Sequence, residues 1–334
     1  MHINSVYNAK GLVVRRSFEF LILAVVACFV GAVQAQNYPA KPVRVIVPNA
    51  PGGSIDLFAR NISHKLTEAW NRQVVVDNRG GAAGMIGSEM VARAAPDGYT
   101  LLITSLSPVA IVPHFMRKPL YDALRDFAPV ILIASAPLAL VVHPSVPVKS
   151  VKELITLAKA RPGEINYASG GSGTSMHLVM EFFKLQAGID MLHVPYKSGA
   201  QQVLGVLTGE ASQLFSSLPL LSPHLRSGKL RALAVTSPER VSFAPELPTV
   251  AETLPGFEAS NWWGMFAPAG TPANIVDNLN GEVAKILIHA DIKQSFANNG
   301  AVPMGGSPRD FAAFHKAEYE KWGRVVKQTG IRSD

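Results

Sequence analysis

Apolar and polar positions switch between two periods along the chain, and the switches mark its elements. Val43-Arg44-Val45-Ile46-Val47 is a β-branched run that reads as a buried strand. Phe58, Ile62, Leu66 and Trp70 then recur every four residues, one face of an amphipathic helix. Between them lies Pro48-Asn49-Ala50-Pro51-Gly52-Gly53-Ser54-Ile55-Asp56, a turn that needs glycine and offers Ser54 as N-cap. The succession repeats: Val74-Val75-Val76 is a strand, Arg79-Gly80-Gly81-Ala82-Ala83-Gly84 a second glycine turn, and a helix follows to Ala95. Asp97-Gly98 turns the chain into Thr100-Leu101-Leu102-Ile103-Thr104, a third buried strand. This repetition predicts an α/β fold with a parallel sheet covered on both faces. Ligands in such sheets sit at the carboxyl ends of the strands, where these turns fall.

The pattern then starts again. Ala139-Leu140-Val141-Val142-His143 reads as a strand leaving the first sheet, and Ser150 to Glu153 as a capping box opening a helix that ends near Pro162-Gly163. Strands are expected at 165–168, 192–196 and 230–236, with a glycine-rich turn, Ser169-Gly170-Gly171-Ser172-Gly173-Thr174, before a helix over 176–187. Residues 261–268 carry the chain into a helix capped by Thr271, with Pro272 as its first residue. The last helix begins at Ser307-Pro308, packs Phe311, Phe314, Trp322, Val325 and Val326, and stops at Gly330.

Composition narrows the class. Arg15 and Arg16 precede an apolar stretch over 20–33, too short to span a bilayer, which needs about 20 residues. Val33-Gln34-Ala35 then offers a cleavage site, so residues 1–35 read as a secretory signal. A twin-arginine signal at Arg15-Arg16 and a lipid anchor on Cys28 are the variants left open. Cleavage removes Lys10, Arg15, Arg16, Glu19 and the single cysteine, leaving 28 basic and 23 acidic residues. The mature chain then has no disulfide, thiol nucleophile or cysteine metal site, and its mild, scattered positive charge suits small anions better than nucleic acid.

The chemistry follows from the turns. A strand, a glycine turn and a helix start together point unpaired N–H groups at one spot, which attracts anions. Two such starts, at Pro51–Ser54 and Ser169–Thr174, would form a clamp for a small carboxylate, with no chemistry done on it. Gly171-Ser172-Gly173 lacks the Lys-Ser/Thr of a nucleotide loop, and Met176 stands where a dinucleotide fingerprint has its third glycine. His177 and Glu181, four apart, have no further ligand at metal spacing; His143 and His193 read as satisfied strand histidines. No Gly-x-Ser-x-Gly elbow occurs. Trp262 and Trp263 are open to ligand stacking or, for Trp262, hinge packing. Asp56 is open to capping its own helix or meeting a ligand hydroxyl.

Taken together, the motifs resemble a known family: the periplasmic solute-binding proteins of tripartite tricarboxylate transporters, of the Bug/TctC type. The likeness rests on Tyr38-Pro39, Pro51-Gly52-Gly53 with Asp56, Asn78-Arg79 with Gly81-Ala82 and Gly84, and Asp97-Gly98-Tyr99-Thr100-Leu101. Asp126-Phe127-Ala128-Pro129-Val130, Ser169-Gly170 with Gly173-Thr174 and His177, His193-Val194-Pro195-Tyr196-Lys197, Ser237-Pro238-Glu239-Arg240 and Ala267 to Pro272 extend it over the mature chain. The resemblance implies a two-lobed periplasmic-binding-protein type II fold, each lobe a sheet flanked by helices, joined by two crossing strands. It puts residues 36–138 with 255–334 in one lobe and 139–254 in the other.

By the same resemblance, ligand contacts fall on Pro51, Gly52, Gly53, Ser54 and Asp56; on Gly81, Ala82 and Gly84 within the 78–84 turn; on Ser105 and Ser107; on Ser169, Gly170, Gly173, Thr174 and His177; and on Tyr196 and Lys197. No cofactor and no metal is expected. The expected partners are a small carboxylate and the membrane permease subunits, with a periplasmic, monomeric protein that is not an enzyme. A ligand-presenting sensor and a hydrolase on the same frame are the alternatives. Two positions depart from the family pattern: Ser198 replaces a glycine after Pro195-Tyr196-Lys197, and Ser212 an aspartate, which puts recognition of amino-acid-like ligands in question.

Overall fold

The structure is a computed structural model that describes residues 38–116, 118–171, 174–241 and 244–330. The expected leader, its cleavage site, Cys28 and Gly173 lie outside the described residues. The chain divides at residues 40 and 41. Of the leading unit only residues 38–40 are described, with a cis Tyr38–Pro39 bond; the body from Lys41 onward is an α/β fold.

Strand β1 (Val43–Val47) leads through the first glycine turn into helix α1 (Ser54–Trp70), and β2 (Val74–Asn78) pairs with β1 in parallel. Helix α2 (Met85–Ala92) leads to β3 (Thr100–Ser105), also parallel to β1. Phe58, Ile62 and Leu66 are fully buried, the face their four-residue spacing predicts.

The sheet is not parallel throughout. β9 (Ser260–Pro268) pairs antiparallel with β3 and with β4 (Phe127–Val142), and β10 (Val302–Gly305) lies antiparallel on the other side of β4. β9 runs opposite because it brings back the chain that β4 carried out.

The expected separate strand at 139–143 is the far half of β4, sixteen residues long. Its first part pairs with β9, while Leu138 to Val142 pair with β7 (Gln213–Ser217) and, from Ala139, with β8 (Arg231–Val235). Pro129 hides this continuity in the sequence; the register shifts beside it, between Pro129 and Ile131, let the strand continue. Pro137 stands where the neighbours change.

In the second sheet β5 (Asn166–Ser169) lies parallel to β6 (Leu192–Pro195) and to β7. The two orders, β2-β1-β3-β9-β4 and β6-β5-β7-β4-β8, have the same plan, each accepting the strand that crosses from the other. Helices α3 (Val151–Ala160), α4 (Ser175–Ala187), α5 (Gly199–Leu207) and α6 (Leu218–Arg226) accompany this sheet. Ser150 caps α3 as expected, accepting from Glu153 N–H at 3.2 Å, but the Glu153 carboxylate reaches back to Lys149 N–H (2.7 Å) rather than to Ser150.

Helices α7 (Ala273–Leu287), α8 (Ala290–Asn298) and α9 (Pro308–Thr329) complete the chain. The cap expected at Thr271 is absent: its hydroxyl donates to Pro268 O (2.8 Å), and α7 starts after Pro272. Ser307 and Asp310 form a reciprocal capping box on α9, and Gly330 ends it in the left-handed region.

One hydrophobic cluster runs from Met85 and Val109 through Trp262 and Trp322 to Phe183 and Tyr167. Phe182 of α4 lies 6.1 Å from Trp322 of α9, so this core joins helices of the two sheets. Trp262 is fully buried and its indole donates to Glu318 at 3.1 Å; Trp263 is buried against Phe58 at 4.9 Å. Both indoles belong to the core.

Candidate functional site

Strand direction decides where the turns lie. β1, β2 and β3 run the way β4 leaves the first sheet, while β5, β6 and β7 run against it. The carboxyl ends of the first three therefore point toward the second sheet, and those of the last three toward the first.

At the end of β1, Gly52 adopts φ 93°, open to glycine and strained for other residues. The cap expected from Ser54 is not formed: Gly53 is the N-cap, Ser54 is the first helical residue, and no side chain caps the turn. Asp56 organises the loop instead. Its buried carboxylate accepts from Gly52 N–H (3.0 Å), Arg60 Nε (3.0 Å) and Asn78 Nδ2 (3.0 Å). Burial alone would push this carboxyl up, but the bonds from Arg60, Gly52 and Asn78 outweigh it and hold the group below the usual carboxylate range. The capping reading of Asp56 is not borne out, since no side chain caps α1; its carboxylate instead ties the turn to Asn78 and Arg60 and consumes the Gly52 N–H. Among the described residues, the N–H groups of Ser54, Ile55 and Asp56 have no partner within the chain.

The second turn is wound left-handed over four residues: Gly81, Ala82, Ala83 and Gly84 have φ of 120°, 46°, 53° and 91°. Two alanines in that region cost on the order of 1–3 kcal/mol each, strain that clusters at ligand clamps. The winding leaves successive N–H groups on Gly81, Ala82 and Ala83 unpaired among the described residues, a backbone nest for an anion. Close approach fixes the turn against its neighbours. A Cβ on Gly84 would lie 2.6 Å from Pro108 Cγ, and Asn78 bonds the Asn49 carbonyl (3.1 Å) as well as Asp56. Pro108 belongs to the π-helical turn Ser107–Ile111 after β3, so all three strand ends form one surface. Ser105 and Ser107 stand on it half-buried, their hydroxyls without a partner among the described residues.

In the second sheet, Ser169 is fully buried with its hydroxyl engaged by Gly171 and His193, so it shapes the turn from behind and offers nothing to a ligand. Thr174 is the N-cap of α4: its hydroxyl donates to Gly171 O (2.8 Å) and accepts from His177 N–H (3.4 Å). The N–H groups of Gly170, Ser175 and Met176 remain without partners among the described residues. His177, expected at the ligand, is 5 % exposed and stacked on His193 with ring centroids 3.9 Å apart. Burial pushes it down to about 4, so it is neutral at pH 7. Glu181, four residues on, accepts from Tyr167 (2.5 Å) and Lys184 (2.7 Å).

Tyr196 sets its backbone, not its phenol, beside the turn. Its N–H donates to Ser169 O (2.9 Å) and its ring lies over Gly205, where a Cβ would fall 2.1 Å from the hydroxyl oxygen. Burial and the neighbouring Glu210 push it up to about 12. Lys197 is exposed, its N–H bonded to Gln201 Oε1 (3.1 Å).

Neither departure from the family pattern disturbs the turns. Ser198 caps α5 by accepting from Gln201 N–H at 3.3 Å. Ser212 bonds Asn166 at the amino end of β7, the opposite end from the turn that follows β5.

Sequence reasoning missed Gln202. It is 2 % exposed, its carbonyl oxygen has no partner, and it lies 3.9 Å from where a Gly170 Cβ would be. Its only mark in the sequence is its place one turn after the cap at Ser198.

The assembled surface is rich in donors. It offers backbone N–H groups from two opposed sets of strand ends, with the Ser105 and Ser107 hydroxyls added on the first, while the nearby carboxylate and imidazoles are bonded or stacked within the protein. Such a surface holds an anion.

The comparisons agree with that chemistry. Residues 58–331 match the tripartite tricarboxylate transporter family receptor, TctC. The chain is 38 % identical to Protein BugT of Bordetella pertussis over 319 residues, covering 93 % of this chain and 98 % of that protein. Among solved structures, an R. palustris protein with adipate is 38 % identical with a TM-score of 0.73, covering 88 % of this chain and 99 % of that one. MatC from Rhodopseudomonas palustris with bound malate is 29 % identical with a TM-score of 0.70, covering 86 % and 100 %. The chain belongs to the TctC family of tripartite tricarboxylate transporter receptors.

Proposed function

We propose that this protein is a periplasmic, monomeric solute-binding protein that captures a small carboxylate or dicarboxylate between its lobes and delivers it, chemically unchanged, to the membrane subunits of a tripartite tricarboxylate transporter. The observation that carries this reading is the pair of opposed strand ends with unpaired N–H groups, at Ser54–Asp56 and Gly81–Ala83 on one side and Gly170, Ser175 and Met176 on the other. The lobes divide at residues 138/139 and 254/255, and Ser105, Ser107, Gly173 and Lys197 complete the contacts. Relatives solved with adipate and malate, both dicarboxylates, favour a ligand with an anionic group for each lobe.

The energetics suffice. A hydrogen bond to a charged group contributes roughly 1.5–3 kcal/mol, so six such bonds contribute roughly 9–18 kcal/mol, more than the about 8 kcal/mol that micromolar binding needs, and the excess is set against the ordering costs. With one carboxylate on each lobe, binding favours the closed arrangement and shifts the population toward it. Isothermal titration against mono-, di- and tricarboxylates tests the reading. Micromolar binding of at least one dicarboxylate is expected; no heat and no thermal shift with any of them would overturn it.

A further inference from the structure

Ser169 closes β5 with no exposed surface, and its hydroxyl has three neighbours. It accepts from Gly171 N–H at 3.1 Å, lies 3.2 Å from the Gly171 carbonyl oxygen, and lies 2.6 Å from His193 Nε2. One hydroxyl proton serves either the carbonyl or the ring. When Nε2 carries hydrogen it donates to Ser169, whose own proton then goes to Gly171 O; when Nε2 is bare, the hydroxyl donates to the ring and releases that carbonyl.

The ring has little freedom to turn. His177 stacks on it with centroids 3.9 Å apart and planes 9° apart, and Tyr167 lies beside this pair, its centroid 5.0 Å from that of His193 and 6.2 Å from that of His177. Tyr167 is anchored in turn by its hydrogen bond to Glu181, which also receives Lys184. On the far side of Ser169, Gly171 stands at φ 115°, and its carbonyl accepts from both the N–H (3.3 Å) and the hydroxyl (2.8 Å) of Thr174, the cap of α4. A continuous chain of contacts thus runs from a buried aromatic stack to the start of α4.

We infer that His193 is a positioning residue which, through Ser169, fixes Gly171 and Thr174 and so aims the second-lobe N–H groups at the bound carboxylate. This role rests on the carboxylate reading above. The groups facing the ring are Tyr167 from β5 and His177, Glu181 and Lys184 from α4. Burial keeps His193 neutral at pH 7, with Glu181 opposing and Lys184 assisting. Protonation gives both ring nitrogens hydrogen, removes the acceptor and sets a charge against the His177 ring.

Two measurements test the chain of contacts, one with adipate and malate as probes and one with no ligand. In titrations, Ser169→Ala and His193→Phe each weaken binding about tenfold, the double variant is no weaker than either single one, and His193→Gln recovers part of the loss. Without ligand, amide exchange over residues 169–175 speeds up at least tenfold in both single variants. Losses that multiply in the double variant, or unchanged exchange, overturn the role. A wild-type protein that takes neither acid points to the carboxylate reading instead, and the exchange measurement still decides the role of His193.

Discussion

Gly87 sits in the first turn of α2, where a Cβ would fall 2.5 Å from the Arg79 carbonyl oxygen and 2.9 Å from Pro48 Cβ. The nearer atom is backbone and cannot swing aside, so Gly87→Ala has to push the second turn away from the first. Overpacking of this kind costs about 1–3 kcal/mol. We expect Gly87→Ala to lower the urea midpoint accordingly and to weaken carboxylate binding more than tenfold, because it moves the Gly81–Ala83 nest. Calorimetric titration beside urea unfolding checks both, and unchanged affinity would detach the nest from the ligand. The glycine turns themselves were legible, because only glycine is at ease where they stand. The left-handed alanines were not: Ala82 and Ala83 are held by contacts with other strand ends, which no local pattern records. Ser54 misled for a related reason, since Asp56 reaches Gly52, Arg60 and Asn78 at once.

The last helix shows how elements are tied across the fold. Glu318 of α9 is buried and accepts from the indoles of Trp262 and Trp322, both at 3.1 Å, and from Lys321. Trp262 lies on β9, so this carboxylate fastens the final helix to the strand that returns between the sheets. Removing it leaves two buried donors unpaired and a lysine uncompensated, and Glu318→Ala should cost on the order of 3–5 kcal/mol. Glu318→Gln keeps an acceptor oxygen for the indoles and should cost well under half as much, as urea unfolding of the two variants will show. Equal losses would mean that the charge, not the acceptor, matters. Helix and strand positions were readable from periodicity, including the capped start of α9 and its stop at Gly330. The length of β4 was not, because Pro129 and Pro137 break the pattern that bulges and a change of neighbours allow the backbone to carry through.

At the scale of the whole molecule, buried histidines make stability depend on pH. His177 is pushed down to about 4, chiefly by burial with His193 adding to it; His315 and His114 are also lowered by burial. Their ordinary value is 6.5, so between pH 6.5 and 4 the unfolded chain binds protons that the folded protein refuses. Stability is therefore full above that window and falls as pH drops through it, by roughly 3 kcal/mol for His177 alone. Urea midpoints should decline from pH 7 to pH 4.5, and His177→Phe should flatten the decline. A midpoint insensitive to pH over that range would show these imidazoles to be more hydrated than their burial implies.

The order of strands and helices, the glycine turns and the anion-attracting character of the strand ends were written in the sequence, because each depends on residues near one another along the chain. Backbone conformation, capping and hydrophobic period are local quantities. What only the tertiary structure decided is which donors stay free. Asp56 consumes Gly52, His193 engages Ser169, and Tyr196 turns its ring onto Gly205. His193 and Tyr196 reach these partners from other segments of the chain, and Asp56 is set for Gly52 by its bond from Asn78 of β2; hydrogen bonding is a matter of distance and direction that sequence spacing does not set.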